Sequence, residues 1–522
     1  MPERMGKTDK NGEDGQEEKT DKKRRRTRRE DRQKGENEEE GKGKNVHTSE
    51  RNVYSNEKIA LRRRFAVYVF QNILGMIGVS AYVLADTFFI SIAEGARGIT
   101  ALNLVLPVYS LIFAIGAMIG VGSAIRFRIG RARGEKDCDR YFPNALFYAA
   151  LIGVLFMVVG IAGPDRLIML LGGDEQILPV AVPYTRIFLL FSPFFMWNYV
   201  VPAFVRNDEN PSLAMTATLF SSLFNILMDY ILMFPCGLGM AGAAWATAFS
   251  PIVGILICSI HFLTKKNTIP VRFCKVAGMS TRSAQTDQTR QRDGSILREI
   301  ANVADAAQIV KSCRFGFAAF VGEISSGVTT AVFNFLLLSV AGNIGVAAYG
   351  IIANVAIVAT AVFNGVAQGM QPLVSEYYGK NHEEELKETR RMGILLAVFL
   401  AVCMIAATGG YATEIVSLFN SEGNPVLAGY ASEGIRIYFI GFLFAGVNMI
   451  GTSYLGAVGR SGWASVVSLL RGFAAIILCA VVLAMVFGMR GIWFAFPAAE
   501  GVTFLVLLCA MGCIQRQQRR QI

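Results

Sequence analysis

The chain has 522 residues, of which 53% are hydrophobic and only 17% charged, and its formal net charge is +11. Soluble domains carry about 25% charged residues, so this composition excludes an ordinary water-soluble globule. The positive charge does not point to nucleic acid either, because it is crowded into an N-terminal tail and into short stretches between long apolar blocks.

Residues 1–64 are dense in Lys, Arg, Asp and Glu and lack large apolar residues, which predicts a disordered tail. The run Lys22–Arg26, with Arg28 and Arg29, suits anionic lipid headgroups. The tail has no apolar core of the kind a cleavable signal peptide needs.

Twelve apolar blocks follow. They are Phe65–Ser91, Ala101–Ile125, Phe142–Gly163, Val180–Phe204, Leu213–Phe234, Ala241–Leu263, Phe315–Val340, Val346–Val374, Ile394–Gly410, Ile435–Leu455, Trp463–Phe487 and Ile492–Ile514. Each has about the length of a membrane-spanning helix. The expected fold is therefore an all-α integral membrane protein with twelve transmembrane helices. Between the sixth and seventh blocks lies the longest connection. Its second part, Ile296–Val310, has apolar residues at helical spacing and reads as either an amphipathic surface helix or a plain linker.

The loops alternate in charge. Counting from the tail, every second connection is basic, with Arg126 to Arg140, Arg206, Lys265 to Arg314, Lys380 to Arg391, and Arg460. The intervening connections carry only Arg97, Arg166 and Arg490. By the positive-inside rule both termini are expected in the cytoplasm of a cell whose plasma (inner) membrane holds the chain.

The sequence also repeats itself. Gly120 and Gly130 bracket VGSAIRFRI, and Gly369 and Gly379 bracket MQPLVSEYY. Arg186 matches Arg436, and Gly239 and Gly242 match Gly488 and Gly491. All these offsets are about 250 residues. Two six-helix bundles of like orientation are therefore expected, related by a pseudo-two-fold axis along the membrane normal, with a cavity between them. The expected division is a tail at 1–64, one lobe at 65–264, a linker at 265–312, a second lobe at 313–514, and a short tail at 515–522.

Few residues in the blocks can carry chemistry. Asp86 is a carboxylate in the first block, where insertion into lipid costs about 2.5–3.5 kcal/mol. It either faces a polar interior or is solvated at the outer interface. Asn225 and Asp229 are four apart and share one helical face. With Thr247 they offer hard oxygen ligands. Such a set can hold a proton between two repelling acids, or it can hold Na⁺.

Glu323 and Glu500 are second-half acids that either coordinate a cation or are simply hydrogen-bonded. Tyr82, Asn198, Ser222, Gln368 and Gln371 are candidate cavity residues; Gln368 and Gln371 flank Pro372 and can instead serve a helix break. Arg186 and Arg436 are expected to snorkel to the interface. The nine cysteines lack metal-ligand spacing, and of His47, His261 and His382 only His261 touches a block, at the end of the sixth, so no metal beyond Na⁺ is expected. The chain contains no Walker A, GxSxG or HExxH motif, which argues against an enzyme.

The segments VLADTFFIS, GVGSAIRFRIGRARGEKD, FVRNDENPSLAM, FNILMDYILMF, GLGMAGAAWAT, AAYGI, QGMQPLVSEYYGK and GIWFAFPAAEG occur in order from the first block to the last. In them the chain resembles the multidrug and toxic compound extrusion (MATE) family, and especially its bacterial branch related to DNA-damage-inducible transporters. The resemblance implies a V-shaped, two-bundle antiporter. It would export amphipathic or cationic organic compounds in exchange for H⁺ or Na⁺, without a cofactor and as a monomer. It also implies that Asp86, Asn225, Asp229 and Thr247 form the ion-linked site. The alternatives are a lipid-linked oligosaccharide flippase, a polytopic membrane enzyme, or a receptor without transport. A flippase should carry several interior cations for pyrophosphate, and Arg471 is the only plain one here. The resemblance says nothing about the long N-terminal tail.

Overall fold

The computed structural model describes residues 14–265, 267–269, 304–420 and 423–519. The chain divides into two units, Met1–Arg64 and Phe65–Ile522. In the first unit the backbone from Asp14 is helical. Composition alone predicts disorder there, but Lys, Arg, Glu and Gln all have high helix propensity.

Within the described residues there is no strand. Eight helices are long and apolar enough to cross a membrane, or up to ten if each of two bent pairs is one span. They are α1 (Glu57–Gly95), α2 (Arg97–Arg133), α3 (Asp137–Ala162), α6 (Pro211–Met233), α7 (Gly239–Leu263), α8 (Ala306–Gly379), α9 (Glu383–Gly410) and α12 (Ser461–Ile514). The bent pairs are α4 (Leu178–Leu190) with α5 (Ser192–Asn207), at 49°, and α10 (Pro425–Ile440) with α11 (Phe442–Ala457), at 42°. Pro193 in the first turn of α5 explains the first bend, since its ring clashes with the carbonyl one turn earlier.

Two of these helices are too long for one crossing. At 1.5 Å per residue, the 74 residues of α8 would be about 110 Å long, against about 30 Å of hydrocarbon. The chain turns back at Gly342 (φ 64°, ψ −156°), and α12 does so at Gly488 (φ 57°, ψ −132°). Gly95, between α1 and α2, has φ 59° and ψ −142°. Only glycine reaches this region without strain.

The left-handed positions themselves come in pairs. Gly95 matches Gly342, Gly134 matches Asn381, Gly172 matches Gly423, Glu209 matches Gly459, and Gly239 matches Gly488. Each pair is about 250 residues apart, the offset read from the sequence. The repeat is thus written in backbone conformation as well as in side chains.

The outer surface is apolar. Phe70, Leu155, Ile161, Leu256, Phe335, Phe399, Leu478 and Met485 are all exposed. In lipid such surface needs no water-soluble cover, while every backbone polar group must be bonded internally, which helices achieve. The first half has an aromatic core of Tyr109, Phe113, Tyr184, Phe188 and Phe195.

The halves meet closely at the end that bears the basic loops. A Cβ on Gly122 would strike the backbone of Ser312 and Gly316, and one on Gly316 would strike the Met118 carbonyl. Small residues at such crossings let helix backbones touch. The expected amphipathic helix Ile296–Val310 lies largely outside the described residues; Ala306–Val310 form the first turn of α8, and the Asp305 side chain caps it through the Gln308 amide.

His261 requires a correction. Sequence analysis gave the histidines no role, but His261, at the end of the sixth block, is fully buried at the end of α7. It is satisfied there by Asp208, 2.8 Å from Nε2, and by the Asn210 amide, 3.1 Å from Nδ1. Two polar partners on the α5–α6 turn make burial of the imidazole tolerable.

Candidate functional site

The site grows from three helices of the first half. Asn225 and Asp229 lie one turn apart on α6, so their side chains project from one face, and both are 0% exposed. Thr247 on α7 faces them, and Asn225 Nδ2 donates to Thr247 Oγ1 at 3.3 Å. Asp86 comes from α1. Its charge and that of Asp229 are close enough to interact. The structure therefore brings together all four residues that the sequence assigned to an ion-linked site.

What distinguishes the cluster is unmet bonding capacity. Asp86 Oδ1, Asn225 Oδ1, and both carboxylate oxygens of Asp229 are buried without a hydrogen-bond partner. Most buried polar atoms in proteins are paired, and a buried lone charge costs several kcal/mol. A proton shared between the acids would relieve this. So would a small hard cation held by the same oxygens. Among the described residues no group of three or more His, Cys, Asp or Glu could hold a metal ion.

The other candidates fall in several places. Tyr82, one turn before Asp86, is within electrostatic reach of Asp86, Asp229 and Glu323. Ser222, one turn before Asn225 on α6, spends its hydroxyl on the Thr218 carbonyl at 2.9 Å. Asn198 on α5 turns its Oδ1 towards Gly254 on α7. Glu323 of the second half lies within electrostatic reach of Tyr199 of the first. Glu500 is paired with Arg471 at 2.6 Å.

Gln368 and Gln371 are not beside the acids. Gln368 Oε1 accepts from Arg206 Nη1 at 2.6 Å, and Gln371 Nε2 donates to Asn207 Oδ1 at 3.5 Å. Arg206 also donates to Asn72 at 2.9 Å. Both glutamines belong to a polar seam joining the halves at the basic end. Arg186 and Arg436 are exposed, in keeping with snorkelling.

Sequence reasoning missed the charged centre of that seam. Arg128 contacts Glu209 and Glu376, and Glu376 also contacts Lys380. A signal was present, because Arg128 and Glu376 lie in the two matching glycine-bracketed segments. It also missed Asn448, which donates to Glu500 and stands 250 positions after Asn198.

Apolar helices with no strand among the described residues, a repeated half, and a buried Asp229 near a half-buried Asp86 make up the architecture of a membrane transporter. Comparison with known proteins makes this specific. The family model MatE matches residues 72–231 and again 318–486, so one model fits each half. The chain belongs to the MATE family, whose members are transporters.

Among curated proteins, it is 27% identical over 432 residues to the multidrug export protein MepA of Staphylococcus saprophyticus, covering 82% of this chain and 88% of the relative. It is 26% identical over 438 residues to MepA of Staphylococcus aureus, covering 83% and 88%. Among solved structures, one of a multidrug resistance MATE family transporter in an outward-facing conformation superposes with a TM-score of 0.77 at 20% identity, covering 88% of this chain and 97% of that one. A Vibrio cholerae MATE transporter gives 0.76 at 18% identity, covering 88% and 98%. The structural likeness shows a common fold.

Proposed function

We propose that this protein is a secondary antiporter that exports amphipathic or cationic organic compounds in exchange for H⁺ or Na⁺. The observation that carries the reading is buried Asp229 with half-buried Asp86, both carrying buried carboxylate oxygens without a hydrogen-bond partner, in a protein of a transporter family. The similarity to multidrug export proteins supports the substrate class. The finer expectation, a DNA-damage-inducible-type branch, rests on the sequence motifs alone.

In this reading the chain crosses the membrane twelve times. Counting each bent pair as one span and dividing α8 at Gly342 and α12 at Gly488 leads from eight helices to twelve. The lobes are 65–264 and 313–514, joined by a linker at 265–312 and related by a pseudo-two-fold axis along the membrane normal. The paired left-handed positions support that axis. The basic loops put both termini in the cytoplasm of a cell whose plasma membrane holds the protein as a monomer.

The mechanism follows from linkage. A ligand that binds two states equally shifts neither, so ion and drug must prefer opposite states. Here the basic end is sealed by the seam between the halves, which corresponds to a form closed to the cytoplasm. In that form the Asp86–Asp229 pair takes the ion from outside, with Asn225 and Thr247 completing its shell, and drug leaves. Opening of the seam returns the ion inward and admits the next drug. Glu323, within electrostatic reach of Tyr199 of the other half, is a secondary candidate for sensing the change.

The test is transport by the purified protein in liposomes with H⁺ and Na⁺ gradients imposed separately. One gradient alone should drive uptake of an organic cation such as ethidium against its concentration. If neither does, the antiport reading fails.

A further inference from the structure

The second half contains its own buried acid, but in different company. Glu500 is 3% exposed in α12. Arg471 Nε donates to its Oε1 at 2.6 Å. Asn448 Nδ2 donates to its Oε2 at 2.8 Å and to its carbonyl at 2.9 Å. Asn448 Oδ1 and Thr452 Oγ1 are buried without partners. Acid, amide and hydroxyl are therefore all present, as they are in the first half.

The difference is the guanidinium. Among the described residues no ion pair to Asp86 or Asp229 is found in the first half, whereas Glu500 is matched by one arginine. Arg471 stands about 250 positions after Ser222, whose small hydroxyl bonds its own helix. Asn448 stands in the same relation to Asn198. At this position, then, a side chain bearing fixed charge replaces one that leaves space.

Local structure supports the placement. Arg471 lies in a single π turn, Leu470–Ala474, within an otherwise α-helical span. A π turn inserts an extra residue and re-aims the side chains around it. Gly472, the next residue, packs against Ser325 of α8, with no room for a Cβ. Tyr438 of α10 is the other titratable group within electrostatic reach of Glu500 and Arg471.

We propose that Arg471 is a built-in counter-cation that occupies Glu500 permanently, so that the Glu500 site exchanges no ion and adds nothing to the ion count of the cycle. A guanidinium does not give up its proton in a protein, so it is a cation that cannot dissociate. It satisfies the carboxylate and repels any cation that approaches the remaining oxygens of Asn448 and Thr452. Arg471 is thus a specificity-determining residue for the coupling ion, acting by exclusion.

The proposal rests on the antiport reading for the ion count alone; the occupancy of Glu500 stands separately. The experiment uses the full-length protein in liposomes, with ethidium as the drug and cations counted per drug exchanged. Equilibrium binding of Na⁺ and uptake of H⁺ are measured in parallel on the same preparations. Arg471→Met should free Glu500 and add about one bound cation to the wild-type number. Arg471→Met combined with Glu500→Gln should restore that number and retain at least about half the wild-type export, since a buried pair replaced by neutral residues of similar size is tolerated.

Failure of the single variant to insert, with normal insertion of the double variant, also supports the pairing. If the single variant binds no extra cation, or the inserted double variant loses gradient-driven export, the proposal is overturned. If wild-type export proves independent of both gradients, the antiport reading fails. The binding comparison between wild type and Arg471→Met still decides the role of Arg471.

Discussion

Arg128 Nη2 lies 2.5 Å from Glu376 Oε2, an ion pair between residues 248 apart whose side chains are only 10% and 5% exposed. Arg128 also holds Glu209 at 2.9 Å, and Lys380 holds Glu376 at 2.6 Å. Beside them, Arg206 bridges Asn72 and Gln368. This seam joins the halves, and it can exist only when the basic end is closed. Removing one partner of a buried pair costs about 3–5 kcal/mol, and Lys380 should reduce that here. Arg128→Met should therefore weaken the closed form by about 2–3 kcal/mol. Distances between spin labels on the two halves at this end should lengthen; an unchanged distribution would remove the seam from the mechanism.

The first-half acids are predicted to share the coupling ion. Asp86→Asn and Asp229→Asn should each abolish gradient-driven export while the protein still inserts and binds ethidium. Glu323→Gln should reduce export more mildly, because Glu323 stands on α8 outside the Asp86–Asp229 pair. Wild-type pumping by both Asp→Asn variants would move the ion site away from the first half.

Asp208 gives the α5–α6 turn a dependence on pH. Burial alone would raise its pKa, but hydrogen bonds from His261 and Thr268 outweigh burial and hold the carboxyl below its ordinary value. The sign follows: because the folded pKa lies under the unfolded one, the stabilisation is complete above about pH 4 and is lost as pH falls through the folded value. Asp208→Asn should lower stability at pH 7 by about 1–3 kcal/mol, the cost of unmet buried bonding. Melting of the detergent-solubilised protein at pH 7 and at about pH 3 checks this. The wild type should lose stability towards acid, and the variant should show a smaller loss. Equal slopes would mean that Asp208 is not the group responsible.

Orientation is tested by labelling. Asp137→Cys lies at the start of α3, within a basic connection, and Lys387→Cys lies near the start of α9. A membrane-impermeant thiol reagent should reach neither from outside intact cells and both in inverted vesicles. Labelling of either from outside would reverse the assigned topology.

The sequence by itself determined the class of protein, the alternation of apolar block and charged loop, the repeat, and the Asn225–Asp229 face. These properties depend on neighbours along the chain: span length, charge on short loops, and the four-residue return of an α-helix. Asp86 and Thr247 were legible for a related reason, since a polar group in an apolar run is costly wherever it ends up. Only the tertiary structure decided what each such group meets. Gln368 and Gln371, candidate cavity residues by composition, were drawn to Arg206 and Asn207 from the other half. His261, given no role from sequence, was buried against Asp208. Glu500 and Glu323 look alike in sequence, yet one meets Arg471 and the other Tyr199. Nothing local separates those outcomes, because each partner is brought from a distant helix and the fate of a buried charge is set by what lies within a few ångströms of it in space.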